Sequence, residues 1–141
     1  MKLVVVAVGK LREAELRAVA DDYFKRLERY VPCEEREVKS ANELEGRIPE
    51  GALVVALEVD GEMLSSPELS KRVEQWGRRG KGVVAFLIGA ADGIPEPLSR
   101  RADVRLSLSR MTLPHRLARI VLAEQLYRAM TILRGEPYAR E

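Results

Sequence analysis

Val83-Val84-Ala85-Phe86-Leu87-Ile88 is an unbroken apolar run of strand length, and Gly89-Ala90-Ala91-Asp92-Gly93 turns the chain directly after it. A strand with no polar side belongs inside a sheet that is covered on both faces, which is the habit of parallel sheets. Two further runs have the same character. Lys2–Val8 leads to Gly9, and residues 52–59 lead to Gly61. Helices are expected between them. Residues 12–30 carry Leu16, Val19, Ala20, Tyr23, Phe24 and Leu27 at helical spacing and stop at Pro32. Ser65-Ser66-Pro67-Glu68 combines a serine cap, a proline where no amide donor is needed, and a first-turn glutamate, so it opens a helix that runs to about Arg79. Residues 34–39 alternate weakly and suit an edge strand. A short helix over 95–102 precedes a strand over 103–108. The last helix covers 114–134 and stops at Gly135. Strands alternating with helices predict one α/β domain spanning residues 1–141, a parallel sheet with helices on both faces.

Composition agrees with a globule of this size. The chain has 141 residues, 46% hydrophobic and 33% charged, long enough for one substantial core. One cysteine, Cys33, excludes an internal disulfide, and with a single histidine no metal-ligand cluster is expected. The apolar opening is too short to span a membrane and lacks a small-residue cleavage site, so a cytoplasmic protein is expected. The net charge of +2 is unevenly spread. Residues 1–70 hold 10 Lys/Arg against 15 Asp/Glu, whereas residues 71–141 hold 14 against 7, and the cations of that half are nearly all arginine. Guanidinium binds phosphate bidentately, so a late arginine excess suits a nucleic-acid partner, although a solvated surface of varying charge gives the same count.

Ligands of open α/β sheets bind beyond the carboxyl ends of the strands. Three such ends stand out: 57–61, 89–93 and 106–113. Glycine at 89 and 93 lets backbone approach a ligand, or simply makes a tight turn. No G-x-G-x-x-G opens the first helix, and no Gly-Lys-Ser/Thr follows the loop, so neither dinucleotide nor phosphate-loop chemistry is indicated. Ser107-Leu108-Ser109-Arg110-Met111-Thr112-Leu113-Pro114-His115 alternates apolar and hydroxyl residues before a helix. That lining suits an adenine ring, and equally a helix cap. His115 falls in the first turn, where the helix dipole favours a neutral imidazole able to accept a proton, or else it is a polar first-turn residue without chemistry. Arg119 lies one turn on, on the same face. The last helix is apolar over more of its circumference than one sheet face needs, which hints at a second subunit.

Taken together, residues 1–10, 87–93, 106–115, 119–129 and the ending Arg134-Gly135-Glu136-Pro137-Tyr138 closely resemble the large-subunit rRNA methyltransferase H family, over essentially the whole chain. That resemblance implies the SPOUT class: an α/β domain with a C-terminal trefoil knot, acting as a homodimer. It implies transfer of methyl from S-adenosylmethionine, leaving S-adenosylhomocysteine, to N3 of a pseudouridine in helix 69 of 23S rRNA, on the large subunit or the assembled ribosome. It implies no requirement for a metal. It assigns the cofactor to Leu57, Gly89, Leu108, Ser109, Arg110, Met111, Thr112 and Leu113. His115 is the first candidate for the proton acceptor, with Arg119 and Tyr138 as further catalytic candidates. Arg116, Arg128 and Arg140 are candidates for contacting RNA. The chain departs from the family pattern at Ala90, where a second glycine is usual, and at Ala139, where the tail usually has histidine.

Overall fold

The computed structural model describes residues 1–140. Strands β1 (Lys2–Val8), β2 (Cys33–Val38), β3 (Leu53–Met63), β4 (Val83–Ile88) and β5 (Val104–Ser107) form one parallel sheet in the order β2-β1-β4-β3-β5. The expected edge strand is β2, paired along Leu3↔Cys33 to Val8↔Val38. Period-two alternation sorts β1 between two cores. Leu3, Val5 and Ala7 pack with the helices α1 (Ala14–Leu27), α2 (Ser66–Gly77) and α4 (His115–Leu133). Val4, Val6 and Val8 pack on the opposite face with Leu44, Leu98 and the short helix α3 (Glu96–Arg101). All six of these β1 side chains are buried, which is why the run reads as continuously apolar.

Local signals hold at the helix ends. The Ser65 hydroxyl accepts from the Glu68 amide at 3.2 Å while the Glu68 carboxylate accepts from the Ser65 amide at 2.7 Å, a complete capping box. Gly135 takes φ +68 after α4, and the Gly135 and Glu136 amides return to Ile132 and Thr131 carbonyls at 3.0 and 2.9 Å. Pro114 caps α4 rather than opening it, one residue later than the sequence suggests, and its carbonyl accepts from the Leu117 and Ala118 amides.

Two expectations change. The strand expected over 52–59 continues to Met63. It bulges outward after Leu57 and rejoins β5, so that Leu106 faces both Leu57 and Glu62. Gly61 makes this possible: a Cβ there would stand 2.8 Å from the Arg105 carbonyl carbon. The wide apolar coverage of α4 is also largely taken up within the chain, by α1 on one flank and α2 on the other. Of its large apolar residues only Leu117 is broadly exposed.

Candidate active site

The bulged middle of β3, the carboxyl end of β4, the segment after β5 and the first turn of α4 enclose a cavity of about 510 Å³, within the usual range for small-molecule sites. Leu57, Gly89, Leu108, Ser109, Met111, Thr112 and Leu113 all line it, as do His115 and Arg116. Each arrives for a local reason. Gly89 follows the last buried residue of β4 and closes on the next turn: a Cβ would meet the Gly93 carbonyl carbon at 2.4 Å and the Ile94 nitrogen at 2.8 Å. The Ala90 carbonyl accepts from the Gly93 amide at 2.8 Å, so the loop is also the tight turn that glycine permits. Beyond β5, the Ser107 hydroxyl donates to the Ser109 carbonyl at 3.0 Å and the Met111 amide donates to the Ser109 hydroxyl at 2.9 Å. These bonds hold an irregular backbone along the cavity wall. Arg110 departs from the expectation. It is exposed, absent from the lining, and its Nε stands 3.2 Å from the Met63 sulfur.

His115 is half-buried on the cavity wall and makes no hydrogen bond or ion pair among the described residues. Its ring lies against the end of β1: a Cβ on Gly9 would meet His115 Nε2 at 3.5 Å, and Gly9 has φ +93. Arg116, exposed at the rim, pairs with Glu13 at 3.3 Å.

Arg119 does not reach the cavity. It is fully buried behind His115, donating to Glu35 at 2.9 Å, to Glu37, and to the Gly9 carbonyl at 2.9 Å. The i to i+4 spacing does place it below His115. The carboxylates on β2 then draw its guanidinium toward the sheet edge, away from the cavity.

Tyr138 also lies elsewhere. A single 3-10 turn over Pro137–Arg140 folds back on α4, where the Tyr138 hydroxyl donates to Glu124 at 2.8 Å and its ring meets Tyr127 edge-on at 4.6 Å. Burial, reinforced by the Glu124 carboxylate, pushes the phenol above its ordinary range. Arg128 pairs with the same Glu124 at 2.8 Å and stacks over the Tyr138 ring at 4.9 Å. Arg140 is exposed in the same turn. Other late arginines are engaged too: Arg100 with Glu96, Arg101 with Glu45 and Arg105 with Asp60. Exposed pairs of this kind contribute only ~0–1 kcal/mol, so a phosphate can displace the carboxylate.

Ile88 and Ala118 line the cavity without having been singled out, and Glu58 and Val59, within the strand end expected at 57–61, line it without having been given a role. Glu58 and Val59 ride on the β3 bulge. A carboxylate directly after an apolar strand run was the available signal for Glu58, because a charge there has nowhere to go but the ligand-facing end of the sheet. No group of three or more His, Cys, Asp or Glu able to hold a metal ion occurs among the described residues. No helix there is long and apolar enough to cross a membrane.

Comparison with known proteins gives this geometry a family. A solved structure described as a probable methylase family protein from Haemophilus influenzae Rd KW20 superposes with a TM-score of 0.60, covering 97% of this chain and 69% of that one. At 13% identity it speaks for the fold alone. Curated relatives named Ribosomal RNA large subunit methyltransferase H are far more similar. The protein of Sorangium cellulosum is 56% identical, with 99% of both chains covered. That of Anaeromyxobacter dehalogenans is 48% identical, covering 98% of this chain and 99% of the relative. That of Acetivibrio thermocellus is 40% identical over 99% of this chain and all of the relative. The family model described as Predicted SPOUT methyltransferase matches residues 1–139, and the chain belongs to the SPOUT methyltransferase family.

Proposed function

We propose that this chain methylates N3 of a pseudouridine in helix 69 of 23S rRNA, using S-adenosylmethionine and acting as a cytoplasmic homodimer on the large subunit or assembled ribosome. The observation that carries the reading is the cavity at the strand ends, with an unpaired imidazole on its wall. The full-length similarity to relatives named for large-subunit rRNA methylation supplies the substrate class.

The residues present fit the methyl donor. Leu57, Leu108 and Leu113 offer apolar surface for an adenine ring, and the backbone of 108–113 offers amides and carbonyls for its polar edge. Gly89 leaves the floor free of side chains, and Glu58 is placed to accept from hydroxyl or ammonium groups. When bound, S-adenosylmethionine supplies a methyl carbon already activated by its sulfonium, so no metal is needed. The chain's own work is to hold the two reactants in line, to keep water away, and to take the N3 proton. His115 would accept that proton on its imidazole, freeing the N3 electron pair to take the methyl group while the methyl–sulfur bond breaks and its electrons return to sulfur, leaving S-adenosylhomocysteine; a positioned base contributes of order 10²–10⁴-fold.

Arg116 at the rim contacts the RNA backbone. Tyr138 and Arg140 act from a twin subunit. Tyr138 docks beside Glu124, nine residues along α4 from His115, a rise of about 13 Å, so within one chain the tail stands clear of its own cavity. A two-fold arrangement brings it, with Arg128, to the partner's pocket. The knot implied by the family belongs to the same reading. It rests on the family resemblance; the close passage of Gly61 against the Arg105 and Leu106 backbone is compatible with it.

Mass spectrometry of rRNA from a deletion strain tests the reading. One methyl group at the helix 69 pseudouridine should be missing, restored by the wild-type gene and not by His115→Ala. A full complement of methyl groups in the deletion strain overturns it. Mixed dimers test the assembly: His115→Ala chains combined with Tyr138→Ala chains should recover part of the activity, and no recovery argues against a tail acting across the interface.

A further inference from the structure

Beneath His115 lies a partly buried ionic cluster, centred on the fully buried Arg119, that methyl transfer, as just described, does not use. Arg119 on α4 and Arg17 on α1 face Glu35 and Glu37 on β2: Arg17 reaches Glu35 at 2.5 Å and Glu37 at 3.4 Å, and Arg119 reaches both carboxylates. Arg17 also pairs with the exposed Asp21 at 2.7 Å, and the arrangement is a poor stabiliser. Arg119 has no exposed surface and its Nε–H is buried without a partner. Removing a guanidinium from water is costly, and well-packed apolar residues commonly serve stability as well or better. What such a cluster fixes better than a leucine is position.

Its bonds converge on one short segment, residues 9–11, between β1 and α1. The Gly9 amide donates to the Val38 carbonyl at 2.7 Å, the Gly9 carbonyl accepts from Arg119 at 2.9 Å, and the Leu11 amide donates to Glu37 at 3.3 Å. The segment is therefore held at both ends by the cluster and β2. Its first residue supports the catalytic candidate: Gly9 lies against His115 Nε2, and because glycine itself takes φ +93 without strain, the bonds to Val38 and Arg119 are what fix its place. Arg119 also stands one turn below His115 on α4, so the same guanidinium ties the helix carrying the imidazole to the segment the imidazole rests on.

We propose that Arg119 and Glu37 form a positioning clamp that holds the loop at residues 9–11 against His115 and thereby sets the imidazole's place on the cavity wall. Neither residue touches substrate. The proposal rests on the reading of His115 as the proton acceptor, and it reassigns Arg119 from catalysis to positioning.

The chain has one histidine, so its imidazole gives a single set of NMR signals that reports position without any reaction. Arg119→Ala, Arg119→Lys and Glu37→Gln are compared with wild type on three readouts: the histidine ring signals, calorimetric affinity for S-adenosylhomocysteine, and kcat and KM on ribosomes. Each rate is corrected for the fraction of chains that bind the cofactor product. Arg119→Ala and Glu37→Gln should shift or broaden the imidazole signal and lower kcat about 10- to 100-fold, with KM and cofactor affinity within about twofold. Arg119→Lys, which can reach the Gly9 carbonyl or Glu37 but not both, should recover part of that loss. Glu37→Gln keeps the side chain's shape and serves if Arg119→Ala does not fold. An unmoved imidazole signal in a folded variant overturns the clamp, and so does a kcat unchanged per binding-competent chain. If wild-type protein fails to methylate ribosomes, the proposed function falls, while the imidazole signal still decides whether the clamp exists.

Discussion

Replacing Gly89 by alanine adds one carbon at the most crowded point of the cavity floor. Gly89 is not in the left-handed region, so space and not φ is what forbids a side chain. The new Cβ would stand 2.4 Å from the Gly93 carbonyl carbon, 2.5 Å from its oxygen and 2.8 Å from the Ile94 nitrogen, all backbone atoms that cannot rotate away. Ordinary carbon contacts lie at about 3.5–4.0 Å, so the turn at 89–93 must open by about 1 Å. Overpacking of this kind costs about 1–3 kcal/mol. Unfolding entropy of about 2.1 cal/mol/K per residue gives about 0.3 kcal/mol/K for a chain of 141 residues, so the melting temperature should fall by about 3–10 °C. A domain with the usual 5–15 kcal/mol stays folded. The opened turn displaces the Gly89 backbone from the ligand, and S-adenosylhomocysteine affinity should fall about tenfold or more, equivalent to ~1.4 kcal/mol or more. Titration calorimetry and a thermal scan on the same sample measure both effects. Gly93→Ala is the control: it has φ +80 but nothing within 4 Å of its Cβ, so it should lower the melting temperature through strain and affect affinity less than Gly89→Ala does. Wild-type affinity in folded Gly89→Ala refutes the placement of the cofactor over this floor.

His115→Ala should lower kcat about 100-fold or more with S-adenosylhomocysteine affinity changed only a few-fold, as single-turnover methylation and calorimetry would report; an unchanged rate removes it as the base. Arg116→Ala should weaken ribosome association and flatten its dependence on salt, because a phosphate contact releases a counterion; an unaltered salt slope places the RNA elsewhere. Burial pushes the Cys33 thiol up to about 12, against an ordinary value near 8.5 in an unfolded chain. The folded state therefore keeps a proton that the unfolded state loses. Stability is unaffected below about pH 8.5 and falls as pH rises from there toward 12. Thiol labelling at pH 8 should be at least ~100-fold slower in native protein than in urea, and equal rates would show Cys33 to be accessible.

What the sequence made legible, and what it did not, follows from the range of the interactions involved. The apolar runs of β1 and β4, the capping box at Ser65 and Glu68, and the glycine stop at 135 are set within a few neighbouring residues, and each stands where local reasoning puts it. Most of the cavity-lining residues were legible for a related reason. Strand ends and turns are local, and the rule that ligands sit beyond them needs no knowledge of strand order. The order β2-β1-β4-β3-β5 was not legible, because continuous apolar strands carry no register and several parallel orders would bury them equally well. Nor was the continuation of β3 to Met63, since Asp60-Gly61-Glu62 reads as a turn until the backbone of β5 is known to pass against Gly61.

Arg119 shows the same limit most sharply. Helical spacing put it on the face of His115, and that much is true of the structure. Its partners, Glu35 and Glu37, lie more than 80 residues earlier on the sheet's edge strand. In the sequence, those carboxylates look like the solvent side of a weakly alternating strand. Only once α4 is laid across the end of β1 do the two carboxylates and two guanidiniums become neighbours, with the fully buried Arg119 left no partner but Glu35, Glu37 and the Gly9 carbonyl. A charged residue one turn from a catalytic candidate can therefore point to the substrate or to the scaffold, and sequence spacing treats the two alike. Burial separates them here. A guanidinium with no exposed surface and no place in the cavity wall has no route to RNA, and what remains for it is to hold the residues that have one.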